Sequence, residues 1–168
     1  TPCCPDSHFM NLTSFSFPTP TLYGPGAVAE LLTRCQKLSI RRPLVVTDGG
    51  LVNTATFRAV ADALGAAGKD RDWSLYSGVH PNPIEQDVRE AAQCYRDHGC
   101  DGVIALGGGS PLDAGKAARL LVKRPGFDFS KFYDEPDWAG LAPCIAIPTT
   151  AGTGSEVGRA GVITDERT

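Results

Sequence analysis

The residues of this 168-residue chain that are best suited to chemistry form a run of three glycines at 107–109, called here the glycine loop, followed by Ser110 and Pro111. An apolar run at 103–106 precedes the glycines, and an alanine-rich helical pattern follows them. Glycines let the backbone approach an anion closely, Ser110 is placed to cap the helix, and Pro111 suits its first position. Because free N–H groups and the helix dipole attract anions, we interpret the glycine loop as a phosphate cradle.

Two charged residues follow the glycine loop, and the sequence leaves the role of each open. Asp113 either caps its own helix or orients ribose or substrate groups. Lys116, one turn further, either adds positive charge near the phosphates or faces solvent.

A carboxylate, Asp48, ends the apolar run at 44–47 and precedes two glycines. At the end of a strand, a carboxylate accepts both hydroxyl protons of an adenosine ribose and repels a 2′-phosphate, which favours NAD over NADP. The same residue followed by glycines also suits a turn or a helix N-cap, and the sequence does not separate these roles.

A second glycine motif, at residues 24–29, formally matches the dinucleotide fingerprint GxGxxA. That fingerprint requires a buried strand immediately before it, and Pro18 and Pro20 make the preceding segment a poor central strand. We therefore predict a glycine turn that starts a helix.

The elements that position these residues alternate along the chain. Apolar residues at i, i+3, i+4 and i+7 predict helices with stripes at 28–35, 57–64, 88–95 and 114–121. Short apolar runs predict strands at 44–47, 73–79, 103–106 and 144–147, and residues 15–17 suit an edge strand. Residues 124–141 lack a clean period and predict a long excursion with at most a helical turn.

Such alternation predicts an α/β fold with a doubly wound, mainly parallel, Rossmann-like sheet. Ligands of these sheets bind at the carboxyl ends of the strands. Four polar segments fall there: residues 48–49, 80–83, 107–113 and 149–156, the last of which we call the threonine loop.

Together these motifs resemble the iron-containing (group III) alcohol dehydrogenase family from about residue 15 onward. They are the Val-Thr-Asp at 46–48, the His-Pro-Asn-Pro at 80–83, the glycine loop through Lys116, and Ile-Pro-Thr-Thr-Ala-Gly-Thr-Gly-Ser-Glu at 147–156. The last two are long and specific. Residues 1–10 have no family counterpart, and Gly158 stands where many relatives have a hydroxyl residue.

The resemblance implies residue roles in a cofactor site. It puts Asp48 at the adenosine ribose and Asn82 beside the cofactor. It puts four residues at the pyrophosphate and nearby ribose: Gly108, Gly109, Ser110 and Asp113. Three hydroxyl residues complete the cleft: Thr149, Thr150 and Thr153.

The resemblance also implies an enzyme that interconverts small alcohols with aldehydes or ketones by hydride transfer with NAD(P). Residues 15–168 would be its dinucleotide-binding domain, with residues 1–14 a loose tail. A helical second domain beyond Thr168 would hold a divalent metal, iron, so that this segment alone would be inactive. None of His8, His80 and His98 matches the family's metal motifs. The implied partners are the small substrate, that second domain and further copies of the chain.

Two other readings stay open: a relative such as glycerol dehydrogenase or maleylacetate reductase, and a stand-alone nucleotide-binding module without catalysis. Composition does not distinguish these two alternatives from the alcohol dehydrogenase interpretation. A net charge of −3 provides no basic field for nucleic acid, and the sequence lacks an apolar run of membrane-spanning length. Six cysteines without paired CxxC spacing predict reduced thiols in a cytoplasmic protein.

Overall fold

The computed structural model describes residues 13–16, 19–65, 73–134 and 139–165. Its main sheet has four parallel strands in the order β4-β3-β5-β6. They are β3 (Pro43–Val46), β4 (Ser74–Tyr76), β5 (Gly102–Gly107) and β6 (Cys144–Pro148). The predicted parallel sheet is confirmed.

Helices cover both faces of this sheet. They are α1 (Leu31–Lys37), α2 (Ala55–Gly65), α3 (Glu85–Asp97) and α4 (Gly109–Lys123). The stripes of α1 and α2 pack with Val45 and Ile104 on one face. The stripes of α3 and α4 pack with Leu44 and Val46 on the other. Because side chains alternate along a strand, both faces of β3 are apolar, and the sheet is doubly wound as predicted.

A separate two-stranded antiparallel sheet precedes these layers. It pairs β1 (Thr13–Ser16) with β2 (Pro20–Tyr23). Thr13 and Ser14, which the sequence assigns to the tail, therefore belong to a strand, while residues 1–12 lie outside the described part. The sequence analysis did not predict β2, because Pro20 argues against a central strand but not against a short two-stranded ribbon.

The glycines at 24–26 behave as predicted and start a helix. Gly26 has a φ of 80°, and a 3₁₀ helix (Ala27–Glu30) leads directly into α1. The strand before the motif is β2, which lies outside the main sheet. The motif therefore lacks the buried parallel strand that a dinucleotide fingerprint requires.

The excursion after α4 contains a 3₁₀ helix (Phe129–Asp134), in agreement with the prediction of at most a helical turn. In the described ranges, no helix combines the length and apolar character needed to cross a bilayer. Four cysteines lie in those ranges, and none of them forms a disulfide bond: Cys35, Cys94, Cys100 and Cys144.

Candidate functional site

The carboxyl ends of the parallel strands bring the four polar segments to one edge of the sheet. The chain runs from β3 outward to β4 and then returns to place β5 on the other side of β3. The order therefore reverses between β3 and β5, which is where sheets of this kind bind ligands. Asp48 follows β3 at this point, and the glycine loop ends β5.

The glycine loop is tighter than predicted. Gly107 is the last residue of β5 and Gly109 the first of α4, so Gly108 alone joins them. Gly107 has a φ of 147°, and a Cβ there would lie 2.7 Å from Pro111 Cγ. This position therefore requires glycine for both conformation and space.

The threonine loop lies against the glycine loop. The backbone N–H of Thr149 donates to the carbonyl oxygen of Gly107 at 2.9 Å. A Cβ on Gly109 would lie 2.8 Å from Thr153 Cγ2, and one on Gly108 would lie 3.5 Å from Thr150 Oγ1. The two loops are thus packed together at Gly108 and Gly109, and a side chain at 109 would collide with Thr153.

Ser110 does not cap α4. The N-cap is Gly108, no side chain caps the helix, and Pro111 is its third residue. The sequence analysis expects Ser110 as the cap and Pro111 as the first residue of the helix. The helix in fact begins two residues earlier, at Gly109, because the sharp turn at Gly107 allows it. Ser110 Oγ instead accepts a hydrogen bond from the backbone N–H of Asn82 at 3.2 Å.

The turn that carries Asn82 is held by a buried carboxylate that the sequence analysis did not single out. Asp87 is 1% exposed, and its Oδ2 accepts the backbone N–H groups of His80 and Ile84, both at 3.1 Å. Its Oδ1 lies 2.7 Å from His80 Nδ1. Asn82 itself has a φ of 57°, which this bracing stabilises.

Asp48 caps the turn after β3. Its Oδ1 accepts the backbone N–H groups of Gly50 at 2.9 Å and Leu51 at 3.1 Å. The carboxylate oxygen Oδ2 takes no part in these two bonds. Asp48 therefore caps a turn, which is one of the roles that the sequence left open. The second carboxylate oxygen of this half-buried residue, Oδ2, lies at the point where the strand order reverses.

Asp113 lies too deep in α4 to cap it, because the helix begins four residues earlier. Its Oδ2 accepts the backbone N–H of Val162 at 3.0 Å, and its Oδ1 lies 2.9 Å from Lys116 Nζ. Lys116 also donates to the carbonyl oxygens of Ser155, at 3.0 Å, and Ala160. Lys116 therefore neither faces solvent nor stands free for a phosphate.

The threonine hydroxyls are placed at the surface of the edge. Thr149, Thr150 and Thr153 are all exposed. Thr153 Oγ1 donates to Ser155 Oγ at 3.1 Å and accepts from the backbone N–H of Ser155 at 3.2 Å. The edge thus presents hydroxyl groups opposite the start of α4.

The described residues contain no group of three or more His, Cys, Asp or Glu side chains suited to hold a metal ion. Cys94 Sγ lies 3.7 Å from Nδ1 of His98, the residue directly after α3, and the same Nδ1 lies 2.9 Å from the carbonyl oxygen of Cys94. His80 is engaged with Asp87, and His8 lies outside the described part.

The fold and this edge define a Rossmann-like α/β domain with its candidate site at the carboxyl ends of the strands. The family model for iron-containing alcohol dehydrogenase matches residues 18–168. This chain therefore belongs to the iron-containing alcohol dehydrogenase family.

Individual relatives agree with this assignment. The chain is 39% identical to the 4-hydroxybutyrate dehydrogenase of Cupriavidus necator over 142 residues, which cover 82% of the chain and 36% of that protein. A crystal structure of 1,3-propanediol oxidoreductase superimposes with a TM-score of 0.78 at 34% identity, covering 86% of this chain and 37% of that one. Sulfoacetaldehyde reductase from Bifidobacterium kashiwanohense, solved in complex with NAD+, gives a TM-score of 0.70 at 27% identity, covering 84% and 37%. The chain thus spans a little over a third of the length of these relatives.

Proposed function

We propose that this chain binds NAD at the edge of the sheet that the glycine loop and the threonine loop form together. The observation that carries the proposal is the abrupt passage from β5 through Gly108 into α4 at the switch point, with Thr150 and Thr153 across from it. A pyrophosphate needs a site that backbone donors surround and that side chains leave open.

The start of α4 suits an anion. The first N–H groups of any helix have no acceptor within the helix, and here they belong to Gly109 and Ser110. Pro111, the third residue of α4, has no N–H group, so no unpaired donor is left at that position. Gly108 has an ordinary φ of −75° and keeps the approach clear of a side chain.

The remaining roles come from the family resemblance. Asp48 would accept the adenosine ribose hydroxyls through Oδ2, and Asn82 would lie beside the cofactor. Thr149, Thr150 and Thr153 would donate to phosphate or adenosine from the facing loop. Asp113 borders the same site, but its carboxylate is bound by the chain itself.

For the complete gene product we propose hydride transfer between NAD and a small alcohol, aldehyde or ketone. The relatives named above act on hydroxybutyrate, propanediol and sulfoacetaldehyde according to their names, which supports a short, polar substrate. A divalent metal, iron in the family's description, would act as a Lewis acid on the substrate oxygen. Its ligands would belong to the second domain that the family resemblance implies. A cytoplasmic location and assembly into homo-oligomers complete the proposal.

The cleft is tested by filling it. Gly108→Val places a branched side chain toward Thr150, and we expect the dissociation constant of NAD+ to rise at least about tenfold, or roughly 1.4 kcal/mol. Gly126→Val is the matched control, because a Cβ at Gly126 meets nothing within 4 Å and its φ is also ordinary. Calorimetric titration of the complete gene product measures both, with melting temperatures to verify folding.

Wild-type affinity in Gly108→Val would contradict the location of the site. Failure of the unmodified protein to bind either NAD+ or NADP+ would contradict the proposed function itself. Turnover of a panel of small alcohols with iron or zinc then tests the reaction, and saturable NAD binding without turnover would favour a binding module.

A further inference from the structure

Lys116 and Asp113 form a largely buried ion pair in the first two turns of α4. Their side chains are 13% and 10% exposed, and Lys116 Nζ lies 2.9 Å from Asp113 Oδ1. This contact is an ion pair rather than an aligned hydrogen bond, so Oδ1 depends on the lysine charge for compensation.

Both members of the pair also bind the backbone of a distant segment. Lys116 Nζ donates to the carbonyl oxygens of Ser155 and Ala160, and Asp113 Oδ2 accepts from the N–H of Val162. These partners lie 39 to 49 residues further along the chain. The pair therefore ties residues 155–162 to α4, whose first residues are the proposed phosphate cradle.

Residues 155–162 are mostly exposed and rich in glycine, so little within the segment itself fixes it beside α4. Residues 158–162 are exposed and contain Gly158 and Gly161, and the threonine loop contains Gly152 and Gly154. Fixing such a glycine-containing stretch costs considerable conformational entropy. Charge-assisted bonds from a buried ammonium and carboxylate offset that cost.

We propose that Asp113 and Lys116 are positioning residues, which hold the threonine loop against the glycine loop and so set the affinity for NAD without contacting it. This inference rests on the proposed NAD-binding function. The family resemblance implies that Asp113 binds the cofactor at the pyrophosphate and nearby ribose. The inference revises that role, because one carboxylate oxygen pairs with Lys116 and the other accepts the N–H of Val162.

The test uses four variants of the complete gene product and a fifth as a control. Lys116→Met keeps the aliphatic stem and removes the charge, whereas Lys116→Arg retains donors for the two carbonyls and the carboxylate. Asp113→Asn keeps an acceptor for Val162. The double variant Asp113→Asn/Lys116→Met removes both charges, and Lys123→Met near the far end of α4 is the control.

Three quantities are measured: the dissociation constant of NAD+ by calorimetry, hydrogen exchange of residues 149–162 by mass spectrometry, and the melting temperature. We expect Lys116→Met to raise the dissociation constant about tenfold and to accelerate exchange in residues 155–162. Lys116→Arg should restore most of the affinity. In the double variant the melting temperature should recover, because no unpaired buried charge is left, while affinity and exchange should not.

Two outcomes would overturn the inference, and a third separates it from the proposed function. Recovery of NAD affinity together with stability in the double variant would reduce the pair to a stabilising role. Loss of affinity in Asp113→Asn with unchanged exchange would make Asp113 a direct ligand of the cofactor. If the unmodified protein fails to bind NAD while Lys116→Met still loosens residues 155–162, the proposed function fails and the positioning of the loop stands.

Discussion

Asp48 combines two roles that different substitutions can separate. Its Oδ1 caps the turn after β3 through Gly50 and Leu51, and its negative charge would disfavour the 2′-phosphate of NADP. Asp48→Ala removes the cap and the charge together. Asp48→Asn removes only the charge, because an amide oxygen accepts the same two bonds.

The expected magnitudes differ for the two roles. Loss of a cap of this kind costs about 1 kcal/mol, so Asp48→Ala should lower the free energy of unfolding by that amount and Asp48→Asn by much less. Two unit charges about 4 Å apart repel by about 1 kcal/mol in water and about 4 kcal/mol near a protein surface. For the half-buried Asp48, a value of about 2 kcal/mol corresponds to a roughly thirtyfold shift of the affinity ratio toward NADP in both variants.

The assay is calorimetric titration of each variant with NAD+ and NADP+, alongside urea unfolding. Asp101→Asn is the matched control, since Asp101 also accepts backbone N–H groups, those of Arg41 and Arg42, but precedes β5 at the opposite edge of the sheet. It removes the same charge and should leave the ratio unchanged. An unchanged ratio in Asp48→Asn would refute the assignment of the ribose site to this carboxylate.

Two further predictions concern the supports of the site. Gly115→Ala puts a methyl group 2.8 Å from Ala105 Cβ, and the resulting overpacking should cost about 1–2 kcal/mol in urea unfolding despite the gain in helix propensity. Gly65→Ala, with nothing within 4 Å, should be neutral or stabilising, and equal behaviour of the two would disprove the close packing of α4. Asp87→Ala leaves two backbone N–H groups without their acceptor and should cost roughly 3 kcal/mol and weaken NAD binding, whereas Asp87→Asn should lose less. A stable Asp87→Ala protein with unchanged NAD affinity would show that this carboxylate does not brace the turn at Asn82.

Much of the fold could be predicted because apolar periodicity reports directly on burial. The run at 44–47 and the stripe Phe57, Val60 and Leu64 are buried as their spacing predicts. The GxGxxA motif was recognised as a helix-starting turn for a physical reason, namely the prolines before it. What could not be predicted was β2, since a two-stranded ribbon accepts a proline that a central strand does not.

The boundary of α4 escaped prediction because sequence rules assign caps from side chains. A serine before a proline suggests that the helix starts between them. In the folded chain, Gly107 adopts a φ of 147° and turns β5 directly into the helix, with Gly109 packed under Thr153. The packing of this turn against the threonine loop, more than forty residues away, is not encoded in any local pattern.

The same limit applies to the charged residues around the site. Lys116 and Asp87 have no motif of their own that predicts their partners, apart from the position of Asp87 three residues after Ile84, at the start of α3. Both use their charge on backbone groups of loops rather than at the proposed cleft. This division follows from the chemistry of the site: a pyrophosphate is bound best by fixed backbone donors, and donors on loops are fixed only if other groups hold those loops. We therefore expect substitutions of Lys116 and Asp87 to alter cofactor affinity through the motion of the loops, which hydrogen exchange detects and which a change at a direct ligand would leave unaltered.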